Sequence, residues 1–234
     1  MSDMIQEIED ILFRRNAEIE LMNLMGYYCN YHAQFDQEGC VNLFDLSDPG
    51  SRVEMAWGVY DGEEGIRKCY GERHCQHSDP DRWRGKLFLR MVSSPCIEVS
   101  QDKKTARVSW LTPGAGGWPS DEIPGENECR WDFCKYGVDC KLVDGKWKWW
   151  HLHVFSVYGC EFHRCWKDLP AYSYENEDTV ENFRTDWKED ESEGMPNREI
   201  TCWWNFEPGC IYPDNQPEVP EPYGSFEKDI GYGW

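Results

Sequence analysis

The spacing of apolar side chains changes once along this chain, and that change decides which fold classes are open to it. From residue 3 to residue 35, Ile5, Ile8, Leu12, Ile19, Met22 and Met25 recur at helical spacing and no proline interrupts them. The run predicts one long helix, with room for a break near Arg14 to Asn16. Gly39 and "DLSDPGS" at 45–51 then close a short second helix. "RVEMAWGVY" reads as a strand, and "DGEEGIRKCYGERHC" turns at Asp61-Gly62 into an amphipathic helix. Beyond that the period is two. "GKLFLRMVSS" alternates, "PCIEVSQDKKTARVSWLT" reads as a hairpin over a polar turn, and "CRWDFCKYGVDCKLVDGKWKWWHLHVFSVYG" reads as a second hairpin turning at Asp144-Gly145. The Gly/Pro stretch "TPGAGGWPSDEIPGENE" between them reads as a loop long enough to be a pocket rim or lid. Helices first and a curled antiparallel sheet after is the α+β pattern.

Composition narrows the partners. Among 234 residues 13 are tryptophan, so a sizeable core can form, and the mean hydropathy of -0.77 reflects charge. A net charge of -20 leaves no basic stripe for phosphates, which argues against nucleic acid and anionic membranes. No apolar run approaches the roughly 18 to 20 residues of a membrane helix. "MSDMIQEIEDILFRR" lacks the pattern of a signal peptide, so the expected location is cytoplasmic.

The 12 cysteines contain no CxxC pair and read as reduced thiols. His74, Cys75 and His77, and separately Cys160, His163 and Cys165, cluster without the paired spacing of a zinc site, so no metal and no cofactor is expected. The last third differs from the rest: residues 160–234 hold 18 acidic and 6 basic side chains, a net -12, with "PEVPEPY" and five tryptophans. The division expected is a domain at 1–159 and an acidic arm at 160–234, packed on the domain or on a partner subunit.

The stretch "GYYCNYHAQFD", residues 26–36, ends the first helix with Tyr31 and, five residues on, Asp36. On a continuous helix these would stand about 140° apart, so they share a pocket only if Asp36 lies past the helix end. Gln37 to Gly39 allows that. A carboxylate in an aromatic-lined cavity is a stronger base, and a neighbouring phenol can donate to an enolate oxygen. The plainer alternatives are a core tyrosine and a helix-capping aspartate.

The order of helix, short helix, "GVYDGEEGI", hairpin and "VDGKWKWWHLHVF" resembles the SnoaL-like branch of the nuclear transport factor 2-like superfamily, over roughly residues 5 to 158. The resemblance implies a cone, a strongly curved sheet around helices with one internal pocket. Bile acid 7α-dehydratase and scytalone dehydratase are its informative members. In the former, a tyrosine and an aspartate five residues apart close the first helix, as Tyr31 and Asp36 do here. Two positions depart from the pattern. Arg90 stands where the dehydratases carry a histidine, and Ser156 where the bile acid enzyme carries an arginine. Arginine takes up no proton at ordinary pH, but it can hold an oxyanion or a carboxylate; the alternative is an exposed strand arginine.

Strand alternation sets Trp147, Trp149, His151, His153 and Phe155 on one face and Trp150, Leu152, Val154 and Ser156 on the other. Both histidines would then face away from the cavity unless a β-bulge reverses the parity. His153 stays a candidate as a proton carrier. Tyr27, one turn before Tyr31, and Trp110 and Tyr136 on the cup strands are candidate ligand contacts.

The resemblance implies a cofactor-independent lyase (dehydratase or hydratase) or isomerase acting on a small hydrophobic hydroxy-carbonyl compound such as a steroid, polyketide or phenolic. The alternatives are a non-catalytic binding or assembly protein of the same fold, and a protein whose Arg90 holds a ligand carboxylate. The aromatic last strand suggests a homodimer or homotrimer.

Overall fold

The computed structural model describes residues 2–55, 57–74, 84–119, 127–162, 194–201 and 217–226. The fold is α+β. Helix α1 (Ser2–Ala33) runs without a break. The break for which the sequence leaves room near Arg14 does not occur; Arg14 Nε donates to Asp10 at 2.9 Å and Nη1 to the Val99 carbonyl at 2.7 Å. The buried face carries Ala17, Leu21, Leu24, Met25 and Tyr28. Of the apolar stripe read from the sequence, only Met25 belongs to that face. Ile5, Ile8, Leu12, Ile19 and Met22 are exposed, so the helix is apolar on two sides.

The helix ends in a Schellman closure. Phe35 takes φ of 57°, its N–H donates to the His32 carbonyl at 3.2 Å, and the Asp36 N–H donates to the Tyr31 carbonyl at 2.8 Å. A left-handed aromatic residue costs about 1–2 kcal/mol relative to right-handed backbone, which the six-residue closure must offset. Helix α2 (Gln37–Val41) follows at once.

"RVEMAWGVY" forms two strands where one was expected: β1 (Arg52–Met55) and β2 (Gly58–Asp61) pair antiparallel as a tight hairpin. Gly58 opens β2 with φ of 149°, and a Cβ there would stand 2.5 Å from Pro196 Cγ. Helix α3 (Gly62–Lys68) then runs into one π-helical turn, Cys69–His74.

Strands β3 (Leu87–Arg90), β4 (Ser93–Val99), β5 (Thr105–Pro119), β6 (Asn127–Val143) and β7 (Lys146–Glu161) complete a curved, unclosed sheet in the order β2-β1-β7-β6-β5-β3, with β4 also on β5. All neighbours are antiparallel except β1 and β7. The expected rim loop is partly strand: β5 continues through Gly114, Gly116 and Gly117, paired to β6 as far as Pro119↔Asn127. The β6–β7 hairpin turns where expected, with φ of 49° at Asp144 and 75° at Gly145, as a two-residue hairpin turn requires.

A bulge interrupts the last strand. Asp139 pairs with His151 and Cys140 with Trp149, leaving Trp150 as the extra residue. Trp147 and Trp149 therefore face the helices, Trp149 lying 4.8 Å from the Tyr28 ring, while His151 and His153 face out and Leu152 faces in. The single face expected for these five residues is thus split in two.

Two stretches of the acidic arm cover that outer side. Val59 and Arg198 exchange backbone bonds, Thr201 binds Glu54, and Tyr223 and Phe226 lie beneath the Arg107 guanidinium. No helix among the described residues is long and apolar enough to cross a membrane.

Candidate functional site

The Schellman closure settles where Tyr31 and Asp36 stand. Both side chains converge on the bare Cα of Gly39: a Cβ there would lie 2.6 Å from Asp36 Oδ2 and 2.7 Å from Tyr31 Cγ. Asp36 Oδ1 accepts from the Gly39 N–H at 2.9 Å, so the carboxylate is the N-cap of α2. It is exposed. The carboxylate expected inside an aromatic-lined cavity therefore stands at the surface, because capping holds it at the start of a helix. Tyr31 is half-buried against the core, and Tyr27, itself exposed, stacks on it at 6.1 Å.

Arg90 closes β3 with its side chain only 10% exposed, so the alternative of an exposed strand arginine does not hold. It lies 4.6 Å over the Phe88 ring, and Nη2 meets Asp132 Oδ2 at 3.2 Å. Arg130 grips the other oxygen, Oδ1, at 2.6 Å, so one carboxylate is clamped by two guanidiniums. Gly114 makes the room, since a Cβ there would overlap Arg90 Nη1. From this position the Arg90 charge reaches groups between α1 and the sheet. Burial pushes the Cys29 and Cys134 thiols up to about 11 each, and burial likewise raises the Tyr136 phenol, with the Arg90 charge pulling all three back. These groups hold their protons at neutral pH.

Tyr136 and Trp110 are register partners on β6 and β5, both buried in the core with Tyr28 6.1 Å from Tyr136. His32 joins the two halves. Its buried ring lies 4.8 Å from Phe88 and 5.4 Å from Tyr28, linking the helix end to the strand that carries Arg90.

No protein-family model matches the sequence, and no curated protein does. Solved structures do match. A protein provisionally named a scytalone dehydratase, from Novosphingobium aromaticivorans, superposes with a TM-score of 0.51 at 14% identity, over 65% of this chain and 92% of its own. Hexachlorocyclohexane dehydrochlorinase LinA, type 2, superposes with a TM-score of 0.52 at 12% identity, over 68% of this chain and 97% of its own. The chain has the SnoaL-like, nuclear transport factor 2-like fold. At such identity the likeness is one of fold.

The SnoaL-like fold has an inner, helix-facing side and an outer side, and the remaining candidates divide between them. His153 is on the outer side, its Nδ1 3.5 Å from Glu54 Oε2, both side chains buried. Glu54 also accepts from the Thr201 hydroxyl at 2.7 Å. Burial holds the His153 imidazole well below the ordinary histidine range and raises Glu54. On that side His153 also stacks on Phe155 at 3.6 Å. Ser156 pairs with Cys134 across β6 and β7; its side chain lies outside the described residues, as do His77, His163 and Cys165.

Sequence reasoning missed His32, Asp132 and Arg130. The four-residue step from Tyr28 to His32 was a readable sign that the histidine shares the buried stripe. No local signal marks Asp132, whose partner Arg90 is 42 residues away.

Proposed function

We propose that the chain is a cofactor-independent lyase or isomerase acting on a small hydrophobic hydroxy-carbonyl compound. The observation that carries this reading is the convergence of Tyr31 and Asp36 over Gly39 under a left-handed Phe35. Strained backbone persists where the surroundings hold it, and it clusters at functional sites. Asp36 takes a proton α or γ to the carbonyl. An apolar substrate seated over it strips its water, and a desolvated carboxylate is the stronger base. The Tyr31 hydroxyl donates to the enolate oxygen, and Arg90 adds positive potential from the strand side. Asp36 then returns the proton, to departing hydroxide as water or to another carbon. Arg90 carries no proton in this scheme. The names of both solved relatives, a dehydratase and a dehydrochlorinase, denote eliminations, which accords with it.

One observation favours a second reading, a binding or assembly protein: the guanidinium standing in place of a proton-carrying histidine is engaged by Asp132. A mass-spectrometric screen against steroid, polyketide and phenolic hydroxy-ketones separates the two. Loss or gain of water, or isomerised product, that disappears in Asp36→Asn supports the catalytic reading. Turnover that survives Asp36→Asn rejects Asp36 as base. Ligand retained with no turnover supports the binding reading.

A further inference from the structure

Helix α1 has one apolar face too many. Ala17, Leu21, Leu24, Met25 and Tyr28 are buried in the domain, and on the opposite side Ile5, Ile8, Leu12, Ile19 and Met22 are between 50% and 58% exposed. With Arg15 these positions form the series 5, 8, 12, 15, 19, 22, whose steps alternate between three and four residues. Alternating steps of three and four are the a and d positions of a coiled-coil seam. Met4 and Ile11, also exposed, widen it. In a chain of net charge -20, seven large apolar side chains aligned on one helix surface need an occupant.

We propose that the occupant is the same helix of a second copy, packed antiparallel across a two-fold axis. The inference stands apart from the catalytic reading. The seam is self-complementary: an axis between Phe13 and Arg14 sets Ile5 against Met22 of the second copy, Ile8 against Ile19, and Leu12 against Arg15. A parallel in-register pair would stack Arg15 on Arg15, two like charges in the seam. The antiparallel pair lays the Arg15 stem along Leu12 instead, and Glu9 of the second copy lies one turn from that leucine.

Extent and area fit a stable contact. Residues 5 to 22 span about 26 Å of helix. Seven half-exposed side chains of about 100 Å² each offer on the order of 700 Å² per chain, near the roughly 800 Å² per partner of a standard interface. The seam is short for a free coiled coil, but α1 is one continuous helix that packs on the domain from Asp10 onward, so the cost of nucleating the helix is met before association. Anionic lipid is a poor occupant. The helix carries six carboxylates (Asp3, Glu7, Glu9, Asp10, Glu18 and Glu20) against Arg14 and Arg15.

Sedimentation velocity of the full chain at micromolar concentration tests this. The expected particle has twice the 27.6 kDa chain mass. Ile8→Lys with Ile19→Lys should raise the dimer Kd at least about 100-fold with an unchanged far-UV circular dichroism spectrum. Ile8→Glu and Ile19→Lys should each weaken the dimer alone and restore it when mixed, since antiparallel packing brings the two introduced charges together. A monomeric wild type overturns the proposal, whether the seam proves protected from hydrogen exchange by the chain itself or recruits neutral lipid vesicles. A dimer or trimer unmoved by the double substitution also overturns it. Rescue by mixing Ile8→Glu with Ile8→Lys would overturn the antiparallel arrangement.

Discussion

The Asp36 N–H donates to the carbonyl of Tyr31 at 2.8 Å, and the two side chains then meet over the Cα of Gly39. Backbone closure and side-chain convergence are therefore one arrangement, with glycine as its condition. Gly39→Ala inserts a methyl 2.6 Å from the Asp36 carboxylate and 2.7 Å from the Tyr31 ring, and one of them must move. The expected cost is about 1–3 kcal/mol, read as a lower thermal midpoint. Turnover or ligand retention should fall further than stability does, measured where the variant remains folded. An unchanged midpoint together with unchanged binding would mean that the pair tolerates separation.

Arg90 and Asp132 form a shielded ion pair, with side chains 10% and 9% exposed. Asp132→Ala removes the carboxylate shared by Arg90 and Arg130. Stripping one partner from a buried pair costs about 3 kcal/mol, because the remaining charge keeps its desolvation. Urea unfolding should show the loss at constant slope. If Arg90 faces a ligand carboxylate or enolate, affinity for that ligand should rise in the same variant as the guanidinium is released. A fall in affinity would assign Asp132 to holding Arg90 in its binding position.

The parts of this fold that were legible are those set by short-range chemistry. Asp144-Gly145 turns because both residues adopt positive φ, and the chain enters α3 at Asp61-Gly62 for a related reason, Gly62 having φ of 69°. The Tyr31–Asp36 pair was legible as a question: the helix end had to fall between them, and Phe35 supplies it. What was hidden depends on choices between equal local signals. Helix α1 has apolar residues on two faces, and no period tells which one the sheet will cover. The bulge at Trp150 is a register event, invisible without β6. Strand β5 runs through Gly114 to Gly117 against glycine's weak strand preference because β3 and β6 pair with it on both sides.

His153 makes stability depend on pH. Burial, with Arg52 nearby, holds its imidazole well below the ordinary range, so it stays neutral in the folded chain. The unfolded chain takes up that proton once the pH falls below about 6.5. Protons then favour the unfolded state, so this group's contribution is whole above that pH and shrinks below it, by about 1.4 kcal/mol per unit. His153→Phe keeps the stack on Phe155 and removes the titration. Between about pH 7 and about pH 5.5 the variant should lose roughly 1–2 kcal/mol less than wild type. His151, pushed down to about 2 by burial, contributes equally to both proteins and cancels. Parallel stability curves would mean that His153 is hydrated in solution.

Thr201 tests how the acidic arm is held. Its N–H and hydroxyl both donate to Glu54, a carboxylate 1% exposed on β1. Thr201→Val keeps shape and removes one donor, leaving a buried acceptor under-supplied at a cost of about 1–3 kcal/mol. The loss should fall on arm docking first. Arg198 and Asp61 keep their exposed pair, which contributes little, and the backbone exchange with Val59 remains. Limited proteolysis should therefore cut near residues 194–201 sooner in the variant, while hydrogen exchange in β6 and β7 stays slow. Equal cutting rates would move the anchor to Tyr223, whose hydroxyl meets Thr105 Oγ1 at 3.0 Å and whose ring supports Arg107. Global unfolding without early cutting would show that the arm and the sheet form a single cooperative unit.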